Sequence, residues 1–180
     1  AASFNTSLRE IIAYSLPAAL GGAFSVYVFW VDRVFVGIFQ SSSDNGIYLA
    51  VSQISTIFLV ISAGINSVVV PIFSDLYHKG DKVTLEEVYK ISTKWGIYFS
   101  APILIVLLAS PSSAISLIYG DQYQGGSTVL IILLIGQLIN LITGSINPLL
   151  IMTGNQSFLF RLSGIILIAD IILNSILIPR

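Results

Sequence analysis

The stretch FWVDRVFVGIF, residues 29–39, holds nine apolar or glycine residues out of eleven. The other two residues, Asp32 and Arg33, are adjacent and opposite in charge. The stretch closes an apolar run that begins near residue 11, and about 20 mostly apolar residues are enough for a helix to cross a bilayer. We therefore predict a membrane-spanning helix that carries two charged residues, and the role of those charges becomes the question.

The composition of the whole chain is typical of an integral membrane protein. Of the 180 residues, 55% are hydrophobic and 9% are charged, and the mean hydropathy is +0.91. Soluble domains carry about 25% charged residues. The net charge of −1 offers no electrostatic basis for binding nucleic acid. With no cysteine and one histidine, His78, the sequence predicts neither a disulfide nor a metal site.

Enzyme motifs are absent from the sequence. It holds no glycine-rich phosphate loop ending in Lys-Ser/Thr, no His-Glu-x-x-His and no Gly-x-Ser-x-Gly. We therefore expect neither catalytic residues nor a cofactor. Because the chain begins with alanine and ends within an apolar run, we also expect it to belong to a longer protein.

Five apolar runs are long enough to cross a bilayer, and they do not alternate as barrel strands do. The predicted fold class is therefore an all-α membrane protein, a polytopic helical bundle. We expect one transmembrane bundle over residues 1–180, with spans at about 11–39, 47–73, 91–109, 127–152 and 158–178. The segment 41–46 is predicted as a loop, Thr84-x-x-Glu87 as a capping box, and the loop 110–126 is long enough for a short lateral helix.

Lysine and arginine mark one side of the predicted bundle. The turns after spans one and three contain none. The opposite side receives Arg9, Lys79, Lys82 and Arg161, with Lys90 and Lys94 just inside span three. The positive-inside rule therefore predicts a cytoplasmic N-terminus. We also expect the chain to lie in the cytoplasmic membrane.

Ionisable residues within spans are costly and usually face a protein interior or a cavity. Asp32 and Arg33 point about 100° apart on a helix and do not naturally pair with each other. Either Arg33 reaches the outer headgroups while Asp32 meets water, or both line a cavity. Asp170 shares one helix face with Asn174 and Ser163. That face favours a cavity-facing role over a purely structural hydrogen bond.

Two other spans carry polar stripes. Span two ends its stripe with Asn66; such small and polar residues on one face often serve only helix packing, and a cavity role stays open. Span four carries two asparagines and a glutamine on one face, which favours a wet cavity. The candidate substrate or cavity residues are Asp32, Arg33, Asn66, Gln137, Asn140, Asn147, Asp170 and Asn174.

Four segments follow one another in a recognisable order over nearly the whole chain. They are VDRVFVGIFQSSSDNGIYLAVSQI (31–54), VVVPIFSDLYHKGD (68–81), AISLIYGDQYQGGSTVLIIL (114–133) and PLLIMTGNQ (148–156). In order and spacing they resemble the polysaccharide-export flippases of the multidrug/oligosaccharidyl-lipid/polysaccharide superfamily. Asp32 with Gly37, Gly46 with Tyr48, and Pro71 belong to the shared pattern.

The resemblance implies a two-lobed transporter of roughly 12 to 14 helices around a central cavity. This chain would supply five helices of the second lobe, and the N-terminal lobe would lie outside it. The implied activity is flipping of a glycan linked to polyprenyl phosphate, by alternating access, for cell-surface polysaccharide biosynthesis. The partners would be the bilayer, that lipid-linked glycan and the missing N-terminal lobe. Arg33 lies outside the shared pattern, so a phosphate-binding role for it is a hypothesis.

Two alternatives remain open at this stage. A cation-coupled multidrug antiporter of the same superfamily would use Asp32 or Asp170 as its membrane-embedded carboxylate. A scaffold of envelope-glycan assembly, without transport of its own, would tolerate substitution of these residues.

Overall fold

The structure is a computed structural model that describes residues 8–178. The side chains of residues 8–11, 13–15, 17, 18, 21, 25, 29 and 177 lie outside that description. Every regular element within the described range is helical. Five helical segments there are long and apolar enough to cross a membrane, which confirms the predicted polytopic helical membrane protein.

The described chain forms eight α-helices and one 3-10 helix. In order they are α1 (Leu8–Phe39), α2 (Ser42–Ser55), α3 (Ile57–Lys79), α4 (Lys82–Ala109), α5 (Pro111–Tyr119), the 3-10 helix Asp121–Gly126, α6 (Ser127–Thr143), α7 (Ile146–Met152) and α8 (Gln156–Leu177). Spans one, three and five correspond to α1, α4 and α8. Spans two and four are each divided into two helices. The short helix predicted in the loop 110–126 is α5.

The helices group into two compact units. The first unit contains α1 and α8, and the second contains α2 to α7. Each unit is described by itself below, and the arrangement of all five spans as one bundle stays a prediction.

In the first unit, α1 and α8 run parallel. The rings of Phe24 and Phe160 stack with centroids 5.3 Å apart, and Asp32 bonds to Asn174 further along both helices. Both pairs advance in the same direction along the two helices, so the helices are parallel. The predicted polar face of α8 is therefore turned toward α1.

In the second unit, a continuous apolar core joins residues of α2, the start of α3, α4, α5 and α6. Its fully buried members are Val51, Phe58, Ile115, Leu130 and Leu134. α3 packs against α4 and α7. The core includes residues of the second half of α4, such as Leu104 and Leu107. In the first half of α4, Ser92 and Thr93 line a small cavity with Asn66 of α3.

Two predicted helix starts are wrong. Ser41 caps α2, because its hydroxyl accepts from the Asp44 N–H at 3.1 Å, so residues 42–46 are helical rather than a loop. Asp81 caps α4 by accepting from the Thr84 N–H at 3.0 Å. Thr84 therefore lies inside the first turn and does not open a capping box. In both cases the side chain of the capping residue accepts a hydrogen bond from the N–H three residues later. The helix therefore begins most of a turn or more before the predicted start.

The break between α2 and α3 follows from hydroxyl side chains that bond to their own helix. Ser52, Ser55 and Thr56 each donate to the carbonyl three residues before them, at 2.7–2.9 Å. Hydroxyls that bond back in this way compete with the backbone ladder and bend helices. The predicted continuous span at 47–73 is consequently interrupted at Thr56.

The break between α6 and α7 lies at Gly144, whose φ of 58° and ψ of −142° suit glycine alone. A Cβ at this position would also overlap the Thr93 side chain of α4. Its N–H donates to the carbonyls of Asn140 and Leu141, each at 3.2 Å. Glycine thus allows the chain to turn where α4 passes closest.

Candidate functional site

The α1–α8 pair brings three of the predicted residues together. Asn174 Nδ2 donates to Asp32 Oδ1 at 2.7 Å. Asp170 lies one turn before Asn174, close enough to Asp32 for the two negative charges to repel. Its Oδ2 atom is buried and accepts no hydrogen bond from the residues that the structure describes. Two carboxylates and an amide therefore meet between two helices that are long enough to cross a membrane.

Arg33 lies against an aromatic ring of its own helix. Its guanidinium carbon stands 4.9 Å from the ring centroid of Trp30, one turn earlier on α1. An aromatic face attracts a cation in this position. That Arg33 and Asp32 point in different directions stays a prediction, as does any role of Arg33 toward phosphate.

The second unit brings Asn66 and Asn140 to one small cavity of about 20 Å³. Asn66 Oδ1 accepts from Ser145 Oγ at 2.6 Å, which links α3 to the break before α7. A cavity of this size holds about one water molecule. Its lining comes from α3, α4 and the break between α6 and α7: Ser62, Ile65, Asn66, Ser92, Thr93, Gly96, Asn140, Leu141, Gly144 and Ser145.

The other two residues of the span-four stripe lie elsewhere. Gln137 is one turn before Leu141 on α6, and its Oε1 atom is buried with no hydrogen-bond partner within residues 8–178. Asn147 is exposed on α7. The break at Gly144 separates Asn147 from the rest of the stripe, so the predicted continuous face does not exist as one surface.

Tyr89 is a residue whose contact the sequence did not predict. Its position near the start of span three is typical of an interfacial aromatic residue. In the structure its hydroxyl donates to the Thr143 carbonyl at 2.8 Å, the last residue of α6. The adjacent glycine and serine at 144–145, within an apolar run, are a signal that could have indicated a break there.

Charged side chains cluster in the turn between α3 and α4. Lys79 pairs with Asp75 and Lys90 with Glu86, each at 2.6 Å and exposed to solvent. The Thr84 hydroxyl and then the Thr84 N–H, both hydrogen-bonded to Asp81, lower the pKa of that carboxyl below its usual value. Across the described part of the chain, no three His, Asp or Glu side chains are grouped to hold a metal ion.

Residues 2–128, more than half of the chain, match a protein family described as "Polysaccharide biosynthesis protein". The chain belongs to the polysaccharide biosynthesis protein family. This membership confirms the resemblance to polysaccharide-export flippases that the sequence shows.

Two curated relatives each match 172 residues, which is 96% of the chain. The capsular polysaccharide biosynthesis protein CapF of Staphylococcus aureus is 24% identical, and the match covers 43% of its length. The probable low-salt glycan biosynthesis flippase Agl15 of Haloferax volcanii is 25% identical, with 36% of its length covered. The chain thus spans less than half the length of these relatives. No solved structure matches the chain significantly.

The family match covers only some of the candidate residues of this chain. It covers Asp32, Arg33 and Asn66 but ends before the residues of α8. The association of Asp32 with Asn174 is therefore a finding of the structure and does not follow from family membership.

Proposed function

We propose that this chain is part of a flippase that carries a lipid-linked oligosaccharide across the cytoplasmic membrane for cell-surface polysaccharide biosynthesis. The carrying observation is the cluster of Asp32, Asp170 and Asn174 between two membrane-length helices. Ionisable residues inside membrane spans usually mark a transport pathway. Family membership and the relative named as a glycan flippase support polysaccharide-related transport.

In this proposal the substrate is a glycan on a polyprenyl phosphate, moved by alternating access between this bundle and an N-terminal lobe. Arg33 is the candidate for the phosphate. Gln137, Asn140 and Asn147 are candidates for the glycan, since amide side chains both donate and accept hydrogen bonds. Divided helices such as α2–α3 and α6–α7 are common in transporters that rock between two states. In this proposal the N-terminal end of the chain lies on the cytoplasmic side, as the lysine and arginine bias predicts.

The test is complementation of glycan export in cells that lack the full-length gene. Wild-type protein should restore export, whereas Asp32→Asn and Asp170→Asn should fail at equal expression. The matched control is Asp75→Asn, which alters an exposed carboxylate paired with Lys79 and should restore export. Normal export in the deletion strain would refute the proposal, and full activity of both span variants would favour a scaffold.

A second candidate, cation-coupled multidrug antiport, is favoured by the closeness of Asp32 and Asp170. Two nearby carboxylates repel when both are ionised, and a shared proton or cation relieves that repulsion. This candidate predicts drug efflux by the full-length protein that Asp170→Asn abolishes, together with unchanged glycan export in the deletion strain.

A further inference from the structure

The helical hairpin 57–101, which comprises α3 and most of α4, has little share in the apolar core of the second unit. α3 packs against α4, and Gly80 joins the two helices in a left-handed turn. Of the buried members of the core, only Phe58 belongs to the hairpin, whereas Val69 and Phe73 are buried outside that core. Segments with few buried apolar contacts open most easily. The hairpin is therefore anchored in the core mainly near its two ends.

Both ends of the hairpin have a weakened helix backbone. At one end, the break at Thr56 contains three hydroxyl side chains that bond back to α2. At the other end, Pro102 lies inside α4 and has no N–H for the carbonyl four residues earlier. Thr56 and Pro102 lie nine and six residues beyond the closest approach of Ile65 to Gly96, on the same side, so they are about level. Two weak points at one level form a hinge.

Two hydrogen bonds hold the hairpin to the break between α6 and α7. Tyr89 donates from its hydroxyl to the Thr143 carbonyl at 2.8 Å, and Ser145 Oγ donates to Asn66 Oδ1 at 2.6 Å. α3 also packs against α7, but no residue of α7 is buried. Because the same polar groups bond to water when they are exposed, each bond adds little net stability. The two bonds can therefore break and form again.

The small cavity lies beside these two bonds, between the hairpin and the α6–α7 break. Six hydroxyl or amide side chains line it, although the spans around it are apolar: Ser62, Asn66, Ser92, Thr93, Asn140 and Ser145. Such groups both donate and accept hydrogen bonds, as water requires. Polar surface at membrane depth is tolerated where it is buried in protein or lines a water-filled space. The lining thus suits a surface that is closed in one state and wet in another.

We propose that the hairpin 57–101 is an arm that swings about Thr56 and Pro102 and opens the small cavity to water. At 1.5 Å per residue the turn at Gly80 lies about 35 Å from the hinge, so a rotation of about 10° moves the turn by about 6 Å. The lysine and arginine bias predicts that this turn faces the cytoplasm, so the cavity opens to that side. The movement takes place within the second unit and does not depend on the identity of a transported substrate.

Labelling of a cysteine at position 92 measures how often the arm opens. Ser92 is a lining residue of the arm and is only 4% exposed. Ser92→Cys is introduced into the full-length protein, with any cysteine outside this chain replaced, and a water-soluble maleimide is added to permeabilised cells. Tyr89→Phe and Ser145→Ala each remove one of the two bonds and should each speed labelling roughly fivefold, the effect of one hydrogen bond. The matched control is Tyr98→Phe, at an exposed position of the same helix, which should leave the rate unchanged.

The hinge is tested by restoring its missing backbone bond. Pro102→Ala supplies an N–H to the helix and should slow labelling at position 92 in the Tyr89→Phe background. A second reporter, Val51→Cys, lies fully buried in the core outside the arm and should stay unlabelled in every variant.

Three results overturn the proposal. The first is an unchanged rate at position 92 in both bond variants, and the second is a faster rate in Pro102→Ala. The third is labelling at position 51 that rises together with labelling at position 92, which shows a general loosening of the fold. Maleimide labelling needs no substrate, so failure of the flippase proposal leaves these results readable.

Discussion

Asn174 donates a hydrogen bond to Asp32 at 2.7 Å across 142 residues of sequence. The sequence predicts both residues as substrate or cavity candidates for separate reasons. Asp32 is a charged residue beside Arg33 in an apolar run, and Asn174 lies on the polar face of α8. The structure joins them at the contact between two parallel helices. The bond makes the energetic coupling between α1 and α8 measurable.

A double-mutant cycle should detect that coupling. Asp32→Ala and Asn174→Ala should each lower stability, and the double variant should lose less than the sum of the two. Interhelical hydrogen bonds in membrane proteins couple by about 0.6 kcal/mol on average and up to about 1.7 kcal/mol. Reversible unfolding in detergent measures the effect. As a control, the effects of Asp32→Ala and of Asn147→Ala, at an exposed position on α7, on the free energy of unfolding should add. If the effects of Asp32→Ala and Asn174→Ala also add, the result argues against the hydrogen bond.

Asp170→Asn should raise stability while lowering activity. The substitution removes a negative charge that lies near Asp32 and whose Oδ2 atom is buried. Relief of this repulsion is expected to raise the Tm, whereas a transport step that uses the charge would be lost. The Tm and glycan export of the same preparation test both parts. A lower Tm with normal export would contradict the expectation.

Gly144→Ala should destabilise the protein by about 1–3 kcal/mol, because alanine would adopt a rare backbone conformation and overlap Thr93. Gly136→Ala, inside the preceding helix α6, is the control. A Cβ at Gly136 meets no atom within 4 Å, so this variant should be neutral or more stable by up to about 1 kcal/mol. Thermal unfolding of the two variants compares them directly, and equal Tm values would show that Gly144 is not restricted.

Asp81 stabilises the start of α4 as its capping residue, and part of this stabilisation depends on its negative charge. Acid should remove that part. The pKa of Asp81 is lowered in the folded state by the Thr84 hydroxyl and N–H. The charged cap therefore stabilises the protein at pH values above the ordinary Asp pKa of about 3.9. This contribution is lost as the pH falls through the lowered pKa of the folded state. Wild type should exceed Asp81→Asn in Tm at neutral pH but not in strong acid.

Asp81→Ala is the control for that comparison, because it removes the acceptor at every pH. This variant should stay below wild type in both conditions. A difference between wild type and Asp81→Asn that does not change with pH would contradict a role for the charge.

Orientation can be tested with single cysteines, since this chain has none. Ser43 and Lys82 are both exposed, at the starts of α2 and α4. The lysine and arginine bias places Ser43 outside and Lys82 in the cytoplasm. A membrane-impermeant maleimide should therefore label Ser43→Cys in intact cells and Lys82→Cys only after permeabilisation. The reverse labelling pattern would show that the chain has the opposite orientation in the membrane.

Some of the fold could be predicted because membrane insertion is nearly a property of each segment alone. The apolar content of a run of about 20 residues decides whether it can cross a bilayer. The five spans, the absence of strands within the described range and the polar face of α8 follow from such local patterns. The helix starts at Ser42 and Lys82 were missed, because a cap depends on one particular side-chain bond.

Other features depend on partners that are distant in sequence. The stripe containing Gln137, Asn140 and Asn147 looks continuous at helical spacing, but Gly144 turns the chain where Thr93 of α4 passes. No local pattern indicates which helix lies beside it. For the same reason the sequence could not indicate the partner of Asn66, which accepts a hydrogen bond from Ser145, 79 residues away.

The sequence by itself determined that this chain is a helical membrane protein with five spans and a polysaccharide-flippase pattern. Those properties follow from the apolarity of each segment and from the order of short motifs. Only the tertiary structure decided that Asp32 meets Asn174, that Asp170 lies beside them, and that Asn66 bonds to Ser145. These contacts depend on which helices pack together and how each is rotated, and both are set by residues far apart in the chain.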